Sequence, residues 1–128
     1  MKQEYKELLF KDLCSRLPYE VKVTTNNFHN LTLLSINLNG IADVTPNNGY
    51  PMEINWEDCK PYLFPLSSMT KEQRKEYTSL LNHIMTIEGD VCDVCTVESI
   101  NWLLENHFDV NNLIPLGLAK DATGLNIY

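Results

Sequence analysis

The apolar positions of this chain change period more than once. Over residues 2 to 17, Tyr5, Leu8, Leu9, Leu13 and Leu17 recur at three- and four-residue spacing, with Glu4, Glu7, Lys11 and Ser15 on the other side. That spacing predicts an amphipathic helix, widened by Phe10 and Cys14 and stopped by Pro18. From Glu20 to Thr25 the period falls to two, with Val21 and Val23 on one face, as in a half-buried strand. Asn26, Asn27 and Asn30 supply turn chemistry around Phe28 and His29. The next run is apolar at Leu31 and Leu33 and then at Leu34, Ile36 and Leu38, a change of parity that predicts a bulge near Leu33 or Leu34. Asn39-Gly40 is a hairpin dipeptide, which makes Ile41 to Val44 a returning strand. Pro46-Asn47-Asn48-Gly49 is a second turn, and Tyr50 to Trp56 a further strand with Met52, Ile54 and Trp56 on one face.

The stretch Lys60-Pro-Tyr-Leu-Phe-Pro-Leu-Ser-Ser-Met-Thr70 separates these strands from a helical second part. Pro61 and Pro65 hold it extended, and its apolar content predicts a buried joint. Thr70 and Gln73 form a capping box, after which Tyr77, Leu80, Leu81 and Ile84 predict the buried stripe of a helix ending near Glu88-Gly89-Asp90. Thr96 caps a third helix with Val97, Ile100, Leu104 and Phe108 on one face. Trp102 falls about 140° from Val97 and needs a separate cover. The apolar tail Leu113 to Ala119, broken by Pro115 and Gly117, is expected to fold back over Trp102 and the joint. The resulting expectation is a single α+β domain over residues 1–128. It has an N-terminal helix, a three- or four-stranded antiparallel sheet (a meander or a small, partly open barrel), two helices and an apolar C-terminal tail.

Composition adds little until the charge is placed along the chain. An apolar content of 44% with 21% charged residues is ordinary for a folded domain of 128 residues, and no apolar run has the length of a membrane span. The start Met-Lys-Gln-Glu-Tyr-Lys-Glu lacks the basic-then-apolar order of a secretory signal, and four scattered cysteines do not form a disulfide framework, so a cytoplasmic location is expected. The net charge is -7, yet residues 1 to 75 sum to zero. All of the excess lies between Glu76 and Ala119, which contains seven acidic residues and no Lys or Arg. Such a segment repels phosphates, so direct nucleic-acid binding is not expected.

Candidate chemistry is sparse. Cys92-Asp-Val-Cys95 has the spacing of a metal or redox pair, and a metal reading would recruit His83 and His107 as further ligands. A thioredoxin-type reading would need a βαβ pattern that the flanks do not supply. Glu88, Asp90 and Asp93 lack the calcium-loop pattern, and no nucleophile motif or glycine-rich phosphate loop is present, so neither catalysis nor a cofactor is expected. The acidic segment remains as a solvated face or as a docking face for a basic protein, with Glu88, Asp90, Asp93, Glu98, Glu105 and Trp102 as its candidate contacts.

Three blocks carry a resemblance: Asp12-Leu-Cys-Ser-Arg-Leu-Pro-Tyr19, the joint from Lys60 to Thr70, and Asn106-His-Phe-Asp109 followed by Leu113-Ile-Pro-Leu-Gly-Leu-Ala119. In these the chain resembles a family of small proteins, without an established activity, from gut Bacteroidales genomes and their phages or mobile elements. The resemblance implies an accessory or host-interaction role and transfers no catalytic residue. Val110-Asn111-Asn112 departs from the Tyr-Arg-Gly that the family pattern carries there. The expectation is therefore a non-enzymatic protein-interaction module, an accessory factor or an inhibitor of a host protein. Its alternatives are a small metal-binding or redox protein and an acidic nucleic-acid mimic.

Overall fold

A computed structural model describes residues 1–47 and 49–128; of the predicted turn from Pro46 to Gly49, Asn48 lies outside the described residues. Helix α1 (Gln3–Arg16) follows the predicted boundaries and ends in a single 3-10 turn through Pro18. Strands β1 (Lys22–Thr24), β2 (Leu31–Ile36), β3 (Ile41–Thr45) and β4 (Met52–Asn55) come next and form an antiparallel meander. The register between β2 and β3 shifts between Leu33 and Ser35, which is the bulge that the parity change predicted. Leu31 and Leu33 are buried while Leu34 is exposed, so the extra residue returns the strand's inner positions to the core.

The predicted joint is itself a strand. β5 (Lys60–Leu63) pairs antiparallel with β1 and parallel with β8 (Lys120–Asp121), so the sheet has six strands in the order β4-β3-β2-β1-β5-β8 and curls into a half-barrel. The expected three or four strands fell short because prolines argue against a central strand. Here Tyr128 supplies the missing rung beside Pro61. Its hydroxyl accepts from Lys22 N–H (2.8 Å) and donates to Tyr62 O (2.8 Å), bridging β1 and β5. Phe64 continues the pinning, since its N–H donates to His107 O and its carbonyl accepts from Asp109 N–H.

Helix α2 (Lys71–Ser79) has the predicted capping box but is much shorter than expected. Instead of continuing to Glu88, the chain forms a two-stranded hairpin from β6 (Asn82–Met85) and β7 (Val91–Val94). Gly89, at φ +88°, closes a tight loop in which Gly89 N–H donates to Thr86 O and Thr86 N–H donates to Asp90 O. A glycine that can cap a helix can equally supply this left-handed hairpin position, and the β-branched residues around it favour the strand.

Helix α3 (Val97–Glu105) starts at Thr96 as predicted, but its buried face is rotated from the expected stripe. Trp102, Leu103 and Leu104 are buried, whereas Val97 is 73% exposed. The helix ends by a 6→1 hydrogen bond from Phe108 N–H to Leu103 O, with His107 in the left-handed conformation, and this reversal stacks Phe108 on Trp102 at 5.7 Å. The large aromatic area gained there decides the rotation.

Two apolar clusters result. The larger lies between α1 and the inner face of the sheet and takes in Leu113, Leu118 and Ala119 of the tail. The smaller groups Trp102, Leu103 and Phe108 with Phe64, Met69, Tyr77 and Leu80. The tail thus covers the sheet core and runs into β8 beside the joint. The cover of Trp102 comes from Phe108 and Tyr77 rather than from the tail.

Candidate functional site

Every residue of β6 and β7 is exposed, so the hairpin projects from the body with neither face covered. The pairs Asn82 with Val94 and Ile84 with Cys92 occupy one face; His83 with Asp93 and Met85 with Val91 occupy the other. Apolar side chains stand in solvent on both, from Ile84 at 50% and Met85 at 72% to the fully exposed Ile87 at the tip. Each strand also has one unpaired edge, because this sheet has two strands only. At its base the hairpin is closed by Thr96 Oγ1 donating to Leu80 O at 2.7 Å.

The acidic candidates divide between two places. Glu88 lies in the hairpin loop, Asp90 just before β7 and Asp93 within it, where its carboxylate meets His83 Nδ1. Glu98 and Glu105, seven residues apart and both exposed, share the outer face of α3. Trp102 does not belong with them, because it is only 8% exposed and packed in the smaller cluster; its partner-contact reading is corrected. Asp109, the seventh acid of the segment, is also inside, where its two oxygens accept from Leu113 N–H and Ile114 N–H at 2.8 and 2.9 Å.

The alternative metal set does not assemble. Cys92 is in β7 and Cys95 just beyond its end, three residues on along extended chain, so their side chains start from opposite faces and their Cα atoms, about 10 Å apart, lie beyond disulfide reach. Cys95 Sγ instead faces Tyr77 Oη at 3.7 Å. His83 is on the exposed hairpin, and His107 is held at the end of α3, stacked on the Tyr128 ring at 3.6 Å. Among the described residues no three His, Cys, Asp or Glu side chains gather as a metal site.

A polar network lies inside the molecule where periodicity predicted none. Asp12 and Arg16, both fully buried on α1, form a two-pronged pair at 2.8 and 3.1 Å. Arg16 Nη2 also donates to Phe108 O, and Asn111 Nδ2 donates to Asp12 Oδ1. The network ties α1 to the reversal after α3. Burial, with the Arg16 guanidinium nearby, holds the His107 imidazole down to about 4. Burial likewise raises the Tyr128 phenol, keeping it a donor to Tyr62 O. These groups join α1 to the reversal after α3 through buried hydrogen bonds and read as a structural clamp.

The cavity with a distinct chemical character is a groove of about 730 Å³ beside α2. Lys71, Arg74 and Lys75 line it from one helical face, His83 closes it from the base of the hairpin, and Glu72 is the one carboxylate on its wall. These cations have no role in the expectation drawn from the sequence, although their i, i+3, i+4 spacing is a signal that they share one helical face. Comparison with protein-family models, curated proteins and solved structures returned no match.

Proposed function

We propose that the protein is a non-enzymatic interaction module whose docking element is the β6–β7 hairpin, acting as an accessory factor or inhibitor toward a basic segment of a host protein. The observation that carries this reading is the exposure of apolar residues on both faces of an element that has open backbone edges. Such a surface is costly in water and is usually completed by a partner. Carboxylates at Glu88, Asp90 and Asp93, with no lysine or arginine between Glu76 and Ala119, favour a partner strand bearing Lys or Arg among apolar residues. An extended segment can add to a hairpin edge through backbone hydrogen bonds while its cations meet these acids. The resemblance to proteins of phages and mobile elements adds the host as the source of the partner.

Capture from host lysate with native protein and with an Asp90→Lys, Asp93→Lys variant tests the reading. A saturable partner that the native protein retains, that weakens with added salt and that the variant loses is expected. Absence of any saturable partner, or equal retention by the variant, overturns it.

A further inference from the structure

The groove along α2 and the hairpin that follows it are complementary in charge and lie in one chain. Lys71, Arg74 and Lys75 make the groove cationic, and the long lysine stems give it an aliphatic floor. The hairpin tip presents Ile87 and Met85 beside Glu88 and Asp90. His83, at the hairpin's base, lines the groove of its own chain, but Ile87, Glu88 and Asp90 do not. Both halves of a contact are therefore present, and the tip half is unsatisfied within the molecule.

We infer that the tip of the hairpin seats in the α2 groove of a second copy, and reciprocally, to form a two-fold dimer. The inference rests on the hairpin's being a docking element and names a second copy as one occupant. A direct hairpin-on-hairpin pairing is disfavoured, since it would set Glu88, Asp90 and Asp93 against their own copies. Exchange into the groove opposes unlike charges at both contacts of a closed, isologous interface. The hairpin tip from Met85 to Asp90 together with the groove residues supplies about 13 residues from each protomer, the scale of a weak, micromolar interface. Because the dimer covers the hairpin, self-association and capture of a basic host segment compete for the same element.

Charge reversal tests the pairing through mixed variants. One variant carries Arg74→Glu and Lys75→Glu in the groove; the other carries Glu88→Lys and Asp90→Lys in the hairpin. All four positions are exposed, and a thermal melt of each variant checks that it is folded. In sedimentation velocity across a micromolar concentration series, native protein should dimerise. Each variant alone should associate at least about tenfold more weakly, the loss of roughly 1.4 kcal/mol. An equimolar mixture should regain the dimer, because both contacts are complementary again in the mixed pair. Variants that dimerise like native protein, or a mixture that stays monomeric, overturn the inference. If native protein is monomeric throughout yet loses a lysate partner on Asp90→Lys, Asp93→Lys substitution, the dimer is overturned and the docking role stands.

Discussion

At the scale of single residues, the His107 imidazole gives the fold a defined response to acid. It occupies the left-handed position that reverses the chain after α3, stacks on Tyr128, and has a buried Nδ1 without a hydrogen-bond partner among the described residues. Its folded value of about 4 lies below the ~6.5 of an unperturbed histidine, so between the two the unfolded chain binds the extra proton. Stability contributed above pH ~6.5 is therefore lost as pH falls toward 4. With the ring only partly buried and therefore screened, about 1–2 kcal/mol is expected from this group. Urea unfolding at pH 7 and pH 4.5 should show a smaller drop for His107→Asn, which tolerates the backbone but does not titrate; an equal drop would refute the assignment. None of this was legible in the sequence, nor was the Asp12–Arg16 pair. Periodicity assigns charged residues to the solvent side, and an i, i+4 acid–base pair reads the same on either face of a helix. The buried face of α1 is Leu9, Asp12, Leu13 and Arg16, so the predicted stripe had the right helix and too narrow a view of its inner side.

At the scale of elements, the sequence was most legible where one period or one turn signal had no rival. The N-terminal helix, the Asn39-Gly40 hairpin, the bulge in β2, the capping box at Thr70 and Gln73 and the cap at Thr96 all stand where the pattern placed them. The failures came where two readings shared the same residues. Tyr77, Leu80, Leu81 and Ile84 fit a helical stripe, yet Ile84 to Cys95 is rich in β-branched residues with a central Gly89, and strand pairing prevailed after Ser79. That exchange moved Ile84 from the expected stripe onto an exposed hairpin, while Tyr77 and Leu80 kept their packing on the smaller cluster, and it put Glu88, Asp90 and Asp93 on a projecting element. The hairpin contributes to neither apolar cluster, while the hydrogen bond between Thr96 and Leu80 closes its base. Replacing Asn82 to Cys95 by a short glycine linker should therefore leave the fold intact, shifting stability by about 1 kcal/mol, a change in melting temperature of a few degrees. Loss of cooperative unfolding in calorimetry would show instead that the hairpin is part of the folding unit.

At the scale of the whole molecule, the sheet is completed by the segment most distant from it in sequence. β8 lines the edge of β5, Ala122 N–H donates to Leu63 O at 2.8 Å, and the Tyr128 hydroxyl bridges Lys22 and Tyr62 where Pro61 weakens the ladder. The prolines of the joint were read as marks of a divider between strands and helices. The burial of Pro61 within a sheet is possible because the tail supplies the hydrogen bonds that a proline strand lacks. Removing residues 120–128 should cost about 3–5 kcal/mol, from two or three hydrogen bonds at roughly 1 kcal/mol each together with the burial of Ala122 and the covered part of the Tyr128 ring. That is a large part of the ~5–15 kcal/mol that holds a domain of this size together, and the uncovered edge of β5 would also favour aggregation. Tyr128→Phe separates the terms, since it keeps the ring on His107 and removes only the two hydrogen bonds of the hydroxyl bridge, for a loss of about 2 kcal/mol. Urea denaturation should rank native protein above Tyr128→Phe and both well above the truncated chain. A truncated chain as stable as the native one would mean that the sheet holds β5 without its tail.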